Sequence, residues 1–178
     1  MALMHFYRAP ALSGARKNEL LSHVRQRISS GVEDIETEYC FNIEGVGPVA
    51  QEEMVILRWL LSETFEPANF SHNSFLTRHA SPGTHHVLLE VGPRMNFTTA
   101  WSANAVAVCH ACGLKKITRI ERSRRYEFIF SNDTACSNTQ KEDFYSSLIT
   151  HHSSLFYDRM TECPYPEPLT TFQTHVPG

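Results

Sequence analysis

A chain of 178 residues that is 42% hydrophobic and 20% charged can build one compact core or two small fused ones, and this excludes a disordered tail or linker as the bulk of the chain. Its 19 acidic and 16 basic side chains leave a formal charge of −3, so no overall basic field exists to hold nucleic acid or an anionic membrane. No uncharged apolar run approaches the ~20 residues that span a bilayer, since the longest, Met54 to Leu61, is broken by Arg58.

At the start of the chain, His5, Tyr7 and Arg8 interrupt the apolar middle that a secretory signal needs. Cys40, Cys109, Cys112, Cys136 and Cys163 are an odd number without such a signal, which favours free thiols in a reducing compartment. The glycosylation-type triplets at Asn69, Asn96 and Asn132 are then chance matches. A soluble, cytosolic protein is the expectation.

Met4 to Ala9 reads as a short strand. Ser13 then caps a helix whose Leu21, Val24 and Ile28 line one face before Gly31 stops it. The clearest strand follows, with Ile35, Thr37, Tyr39, Phe41 and Ile43 on one side and Glu36, Glu38, Cys40, Asn42 and Glu44 on the other. One wet face and an antiparallel neighbour are expected. Gly45 to Pro48 turns into a helix from about Gln51 to Phe65, apolar around so much of its circumference that burial on more than one side is expected. Pro67 to Thr84 has no period and reads as a loop or boundary between halves.

The order of elements then recurs. Val87 to Val91 reads as a strand, Ser102 to Cys112 as a helix stopped by Gly113, Ile117 to Phe130 as a long strand and Gln140 to Glu162 as a long helix. The fold class is therefore α+β, with two similar strand-helix-strand-helix halves, about 1–66 and 85–163, sharing an antiparallel sheet. After Cys163, Pro164-Tyr165-Pro166-Glu167-Pro168 cannot continue a helix, and 164–178 reads as the start of a linker to something longer.

Few segments offer chemistry. Cys109-His110-Ala111-Cys112 has the spacing of half a zinc site or a redox pair, but a structural zinc site takes four ligands and no second close Cys pair exists. Both cysteines fall with Ala105 and Val108 on one apolar helix face and read as buried thiols. His85-His86 and His151-His152 make poor metal bites because adjacent side chains diverge, and His152 reads as a core histidine. Gly45-Val46-Gly47 lacks the third glycine of a dinucleotide loop, no Gly-Lys-Ser or Gly-Lys-Thr sequence occurs, and no Ser or Cys sits in a glycine-flanked elbow. No catalytic residue and no metal ligand is assigned.

Two regions remain. Between a strand end and a helix start, Gly92 to Asn104 combines free helix N–H groups, Ser102 as the expected cap and Arg94 nearby, a setting for an anion or a partner carboxylate; an ordinary capped connection with a solvated Arg94 is the plainer alternative. Lys115, Lys116, Arg119, Arg122, Arg124 and Arg125 form a basic stretch. On a strand, Arg122 and Arg124 share a side with Tyr126, while Arg119 and Arg125 share the other with Glu121 and Glu127. Split and partly paired charge suits a salt-bridged domain contact better than a nucleic-acid groove.

The run Leu88 to Thr99, followed by Asn104-Ala105-Val106 and Cys109 to Leu114, resembles the N-terminal region of the large, single-chain phosphoribosylformylglycinamidine synthases. Arg119 to Tyr126, Tyr157 to Glu162, His5-Phe6-Tyr7, Val32 to Cys40, Glu52-Glu53 and Leu57 to Leu61 extend the likeness, in order, over nearly the whole chain. The resemblance implies an N-terminal domain, residues 1–163, built like two fused copies of the family's small subunit. It implies that ATP, magnesium and glutamine serve the full-length enzyme, which converts formylglycinamide ribonucleotide to the amidine in purine synthesis, at sites in synthetase and glutaminase domains that this sequence does not contain. The work left to this chain is to pack on those domains and help enclose the ammonia route, with Arg94, Asn96, Thr98, Ser102, Arg119, Arg122, Arg125 and Arg159 as contact candidates and self-association as a further possibility. An independent binding or regulatory protein of the same fold is the alternative, and a zinc- or nucleic-acid-binding role a distant third.

Overall fold

A computed structural model describes residues 2–62, 67–76, 85–131 and 137–173. The elements are β1 (Met4–Arg8), α1 (Gly14–Arg27), β2 (Val32–Gly45), α2 (Gln51–Ser62), β3 (Phe70–Ser71), β4 (His85–Pro93), α3 (Ala100–Ala111), β5 (Ile117–Phe130), α4 (Asn138–Thr150) and β6 (Glu162–Pro164). They form an α+β fold on one six-stranded sheet of order β3-β1-β2-β5-β4-β6, antiparallel at every pairing. The order strand-helix-strand-helix occurs as β1-α1-β2-α2 and again as β4-α3-β5-α4.

The central strands β2 and β5, 14 residues each, run about 45 Å at ordinary strand rise. That length carries two hydrophobic clusters side by side on one face. Toward one end, Ile35, Leu89, Phe128 and Phe130 pack with Leu20 and Val24 of α1 and Phe144 and Leu148 of α4. Toward the other, Phe6, Phe41, Ile43, Ile117 and Ile120 pack with Leu57 and Leu61 of α2 and Cys109 of α3. Between the two helix pairs the same face presents Tyr39, Arg122 and Arg124, because Tyr39 pairs with Arg124 and Phe41 with Arg122 across the β2–β5 seam.

The opposite face of β2 is not wet. Glu38 and Asn42 are fully buried and Cys40 is 3% exposed. Two segments that carry no periodicity fold over them. Ser74 and the Phe75 backbone bond to the Glu38 carboxylate from one side, and the run from Tyr165 to Phe172 crosses from β4 to β1 on the other. The Tyr165 ring lies on Gly92, the Thr170 carbonyl accepts the Leu3 N–H, and the buried Phe172 ring lies 4.5 Å from the Arg119 guanidinium carbon. A Cβ on Gly92 would stand 2.7 Å from the Tyr165 hydroxyl, so the strap needs glycine there. Alternation in β2 is real, but its polar side is an interior.

Three further expectations are revised. Helix α2 is buried on one side only: Leu57 and Leu61, four residues apart, face the sheet, while Val55 and Trp59 are 66% and 74% exposed. Helix α4 stops at Thr150, and after a single turn at Ser153–Leu155 irregular backbone carries both Phe156 and Tyr157 into the core, which a continuing helix would splay apart; the last expected turns become a loop and β6. Within the stretch expected to be loop, Phe70 is buried and β3 pairs with β1. Residues 63–65, 77–84, Asn132 and Cys136, on which other expectations fall, lie outside the described residues.

Candidate functional site

The connection from β4 to α3 is fixed by a threonine rather than by the expected serine. Thr99 is the N-cap of α3: its Oγ1 accepts the Ser102 N–H at 3.0 Å and donates to Glu121 Oε2 at 2.8 Å, and its own N–H donates to Glu121 Oε1 at 3.1 Å. Ser102 is fully buried behind it, its Oγ accepting the Ile120 N–H at 3.3 Å. Ser102 ties α3 to β5.

In front of this joint lies a cleft of about 380 Å³, walled by Phe97, Thr98, Trp101, Arg122 and Arg124 with Glu121 and Glu162 at its edges. Both edge carboxylates are engaged. Glu121 takes Thr99 and the Arg119 guanidinium, at 3.2 Å, and Glu162 takes Arg124 at 2.9 Å and the Asp158 N–H at 3.1 Å. Arg124 also donates to Tyr126 Oη and to the Phe156 carbonyl. Arg122 differs: its guanidinium carbon lies 4.5 Å from the Tyr39 ring centre and 5.0 Å from that of Trp101, a cation on two aromatic faces. Arg8 lies over Tyr39 from the β1 side at 5.1 Å.

The other expected contact residues go to different places. Arg119 leans away from the cleft, donating to the Phe97 carbonyl at 2.6 Å and covering Phe172. Arg94 is exposed, and its Nε and Nη2 both donate to the Arg159 carbonyl, at 3.2 and 2.9 Å, fastening the end of β4 to the 158–161 turn. Asn96 and Arg159 are exposed. Arg125 lies on the far face of the sheet and is 6% exposed. The structure thus brings Thr98 and Arg122 together at one cleft and scatters the rest.

Around Arg125 is a buried polar cluster that periodicity did not reveal. Its Nη1 donates to Glu38 Oε1 at 2.8 Å and to Ser74 Oγ at 3.0 Å, and its Nε lies 3.6 Å from Glu90 Oε2. Ser123 Oγ donates to Glu90 Oε1 at 2.6 Å and Asn42 Nδ2 donates to Ser123 Oγ. Two carboxylates share one guanidinium, and burial raises the Glu90 carboxyl above its ordinary value. Cys40 Sγ lies 3.7 Å from His5 Nδ1, an arrangement that invites a nucleophile reading. Burial, and then the neighbouring Glu90 charge, drives that thiol far up while burial lowers His5, and both shifts oppose a thiolate–imidazolium pair. The sequence signal was the charge on one side of each strand, Glu36 and Glu38 on β2 and Arg125 and Glu127 on β5, which the register sets opposite one another.

Of the Cys-His-Ala-Cys segment, Cys109 is buried, with its thiol raised by burial, whereas Cys112 is exposed at the helix C-cap before Gly113, whose φ is +88°. The expectation that both thiols are buried fails because the helix ends between them. His152 lies beyond α4 and is half-buried rather than part of an apolar stripe. Among the described residues no group of three or more His, Cys, Asp or Glu could hold a metal ion, and no helix is long and apolar enough to cross a membrane.

Comparison with known proteins decides the family. The family described as formylglycinamide ribonucleotide amidotransferase, N-terminal, matches residues 38–172. The chain belongs to it. A probable phosphoribosylformylglycinamidine synthase, chloroplastic/mitochondrial, from Arabidopsis thaliana is 43% identical over 174 residues, 98% of this chain. Phosphoribosylformylglycinamidine synthases of Dictyostelium discoideum and Homo sapiens are 41% and 32% identical over 99% and 96% of it. In each case the chain spans 12% of the relative's length. A formylglycinamide ribonucleotide amidotransferase N-terminal domain is thus the unit described above, with the cleft at the β4–α3 joint on one face of its sheet and the Arg125 cluster sealed on the other.

Proposed function

We propose that this chain is the N-terminal assembly module of a phosphoribosylformylglycinamidine synthase. In this reading it packs on the synthetase and glutaminase domains of such an enzyme, helps to enclose the ammonia route and carries no reacting group. The observation that carries the reading is the match of almost the whole chain to only 12% of each relative. The side-chain chemistry supports this: the buried acids Glu38 and Glu90 are held in contacts within the domain, and the cleft is walled by cations and aromatic rings whose two carboxylates, Glu121 and Glu162, are engaged by Arg119 and Arg124. Sealing a route between two sites takes shape complementarity and satisfied polar contacts. ATP and magnesium belong, in this reading, to the full-length enzyme, which performs the glutamine-dependent conversion of formylglycinamide ribonucleotide to the amidine in purine synthesis. The domain is residues 1–163, the linker that opens at 164 first packs back on its sheet as far as Phe172, the halves about 1–66 and 85–163 are fused copies of a small subunit, and the compartment is the cytosol.

The test has two arms. Purified chain supplied with ATP, magnesium, glutamine and formylglycinamide ribonucleotide is expected to form no amidine, and turnover by the chain alone would overturn the inactive-module reading. The Dictyostelium relative, deleted for the residues that match this chain, is expected to bind it. Self-association without such binding would favour an independent regulatory protein.

A further inference from the structure

Arg122 stands apart from the other arginines of the sheet. Arg119 has Glu121, Arg124 has Glu162 and Arg125 has Glu38. Among the described residues Arg122 meets only the rings of Tyr39 and Trp101. The ring contacts position the half-buried guanidinium and engage none of its five N–H donors, which stay available to an acceptor. The saddle around it carries more cations than unengaged acids: Arg8, Arg122 and Arg124 come from neighbouring strands through the pairings Arg8 with Tyr39, Tyr39 with Arg124 and Phe41 with Arg122, while Glu162 is taken by Arg124 and Glu121 by Arg119 and Thr99. The cleft it opens on, about 380 Å³, is roomy enough for a side chain with its backbone, and its exposed Phe97 adds an apolar wall.

We infer that Arg122 is the anchor of the docking surface and that its partner is a carboxylate side chain on the synthase polypeptide lying outside this chain, inserted between Phe97 and Trp101. The inference rests on the assembly-module reading and adds to it one residue, one cleft and the charge of the group received. Charge complementarity selects the occupant: a guanidinium resting on two rings keeps its N–H fork for a carboxylate, which it can take in bidentate fashion, and most of each relative's length lies beyond the segment this chain matches. Of the other arginines named from sequence, Arg94, Arg119 and Arg125 have donors engaged within the domain, and Arg159 is exposed away from the cleft.

Binding of the chain to the truncated Dictyostelium relative, measured by titration calorimetry at low and moderate salt, tests this. Arg122→Met keeps the stem on the rings and removes the charge; its dissociation constant is expected to rise about tenfold or more, with a weaker salt dependence than wild type. Arg122→Lys, which keeps the charge and loses the fork, is expected to fall between them, and reads the same point if thermal melting shows that the Met variant has lost its fold. Wild-type binding that both variants retain at full strength would overturn the Arg122 assignment and leave the module reading standing. Absence of wild-type binding would overturn the module reading itself, and Arg122-dependent pairing of two copies of this chain would replace the inferred occupant.

Discussion

Glu38 and Arg125 face each other across the β2–β5 seam, Oε1 to Nη1 at 2.8 Å, with side chains 0% and 8% exposed. They join two strands from different halves of the chain beneath a lid made by Ser74 and Phe75. Removing the cation strands two buried carboxylates, Glu38 and Glu90, around an empty space. Arg125→Met is therefore expected to destabilise the domain by about 3–5 kcal/mol, measured by urea unfolding. Replacing both Glu38 by Gln and Arg125 by Met is expected to cost less than the two single changes added together. Simple additivity would mean that the pair does not act as a unit.

Helix α2 supplies two neighbours with opposite expectations. Leu57 is fully buried against Phe41 and Ile43, whereas Trp59 is 74% exposed. Leu57→Ala should cost about 2–5 kcal/mol through lost burial and the cavity left behind, while Trp59→Ser should stay within about 0.5 kcal/mol of wild type. A large loss at Trp59, read in the same thermal melts, would show that the helix is covered on its outer side.

The strap from Tyr165 to Phe172 depends on the bare backbone of Gly92. Gly92→Ala places a methyl 2.7 and 2.8 Å from the hydroxyl and ring of Tyr165, which is buried and donates to the Pro93 carbonyl. The ring has nowhere to go within that bond, and overpacking of this kind costs about 1–3 kcal/mol. Limited proteolysis should then cut within 165–172 faster than in wild type. Unchanged cleavage there would mean that the strap is held from elsewhere.

Much of this architecture is legible in the residues because the strands obey a period of two. Ile117 to Phe130 is read to its ends, and Gly113 stops α3 where a positive φ is needed. What escapes is what covers the strands. Glu38, Cys40 and Asn42 carry the sign of a wet face, and only the tertiary return of Ser74–Leu76 and Tyr165–Phe172 turns that face inward. The same limit governs the site. Strand alternation correctly places Arg122 and Arg125 on opposite faces, but that Arg125 finds Glu38 while Arg122, among the described residues, finds Tyr39 and Trp101 depends on partners more than 20 residues away in sequence.

Glu127 gives the covered face a measurable pH dependence. It pairs directly with Glu36 across the seam and lies 3.2 Å from His86 Nδ1, and burial followed by repulsion from Glu36 and Glu38 pushes its carboxyl up to about 7, with Arg125 opposing. A carboxyl that holds its proton more tightly folded than unfolded stabilises the fold at low pH. That contribution is fully present below the unfolded value near 4.5 and is lost as pH rises through about 7. Glu127→Gln, neutral at every pH, should therefore melt higher relative to wild type at pH 8 than at pH 5. The difference in melting temperature between the two proteins, followed from pH 4.5 to 8, isolates this residue from the other carboxyls that titrate with it. A constant difference across that range would show that the Glu127 charge is compensated in the fold, with His86 the group placed to do so.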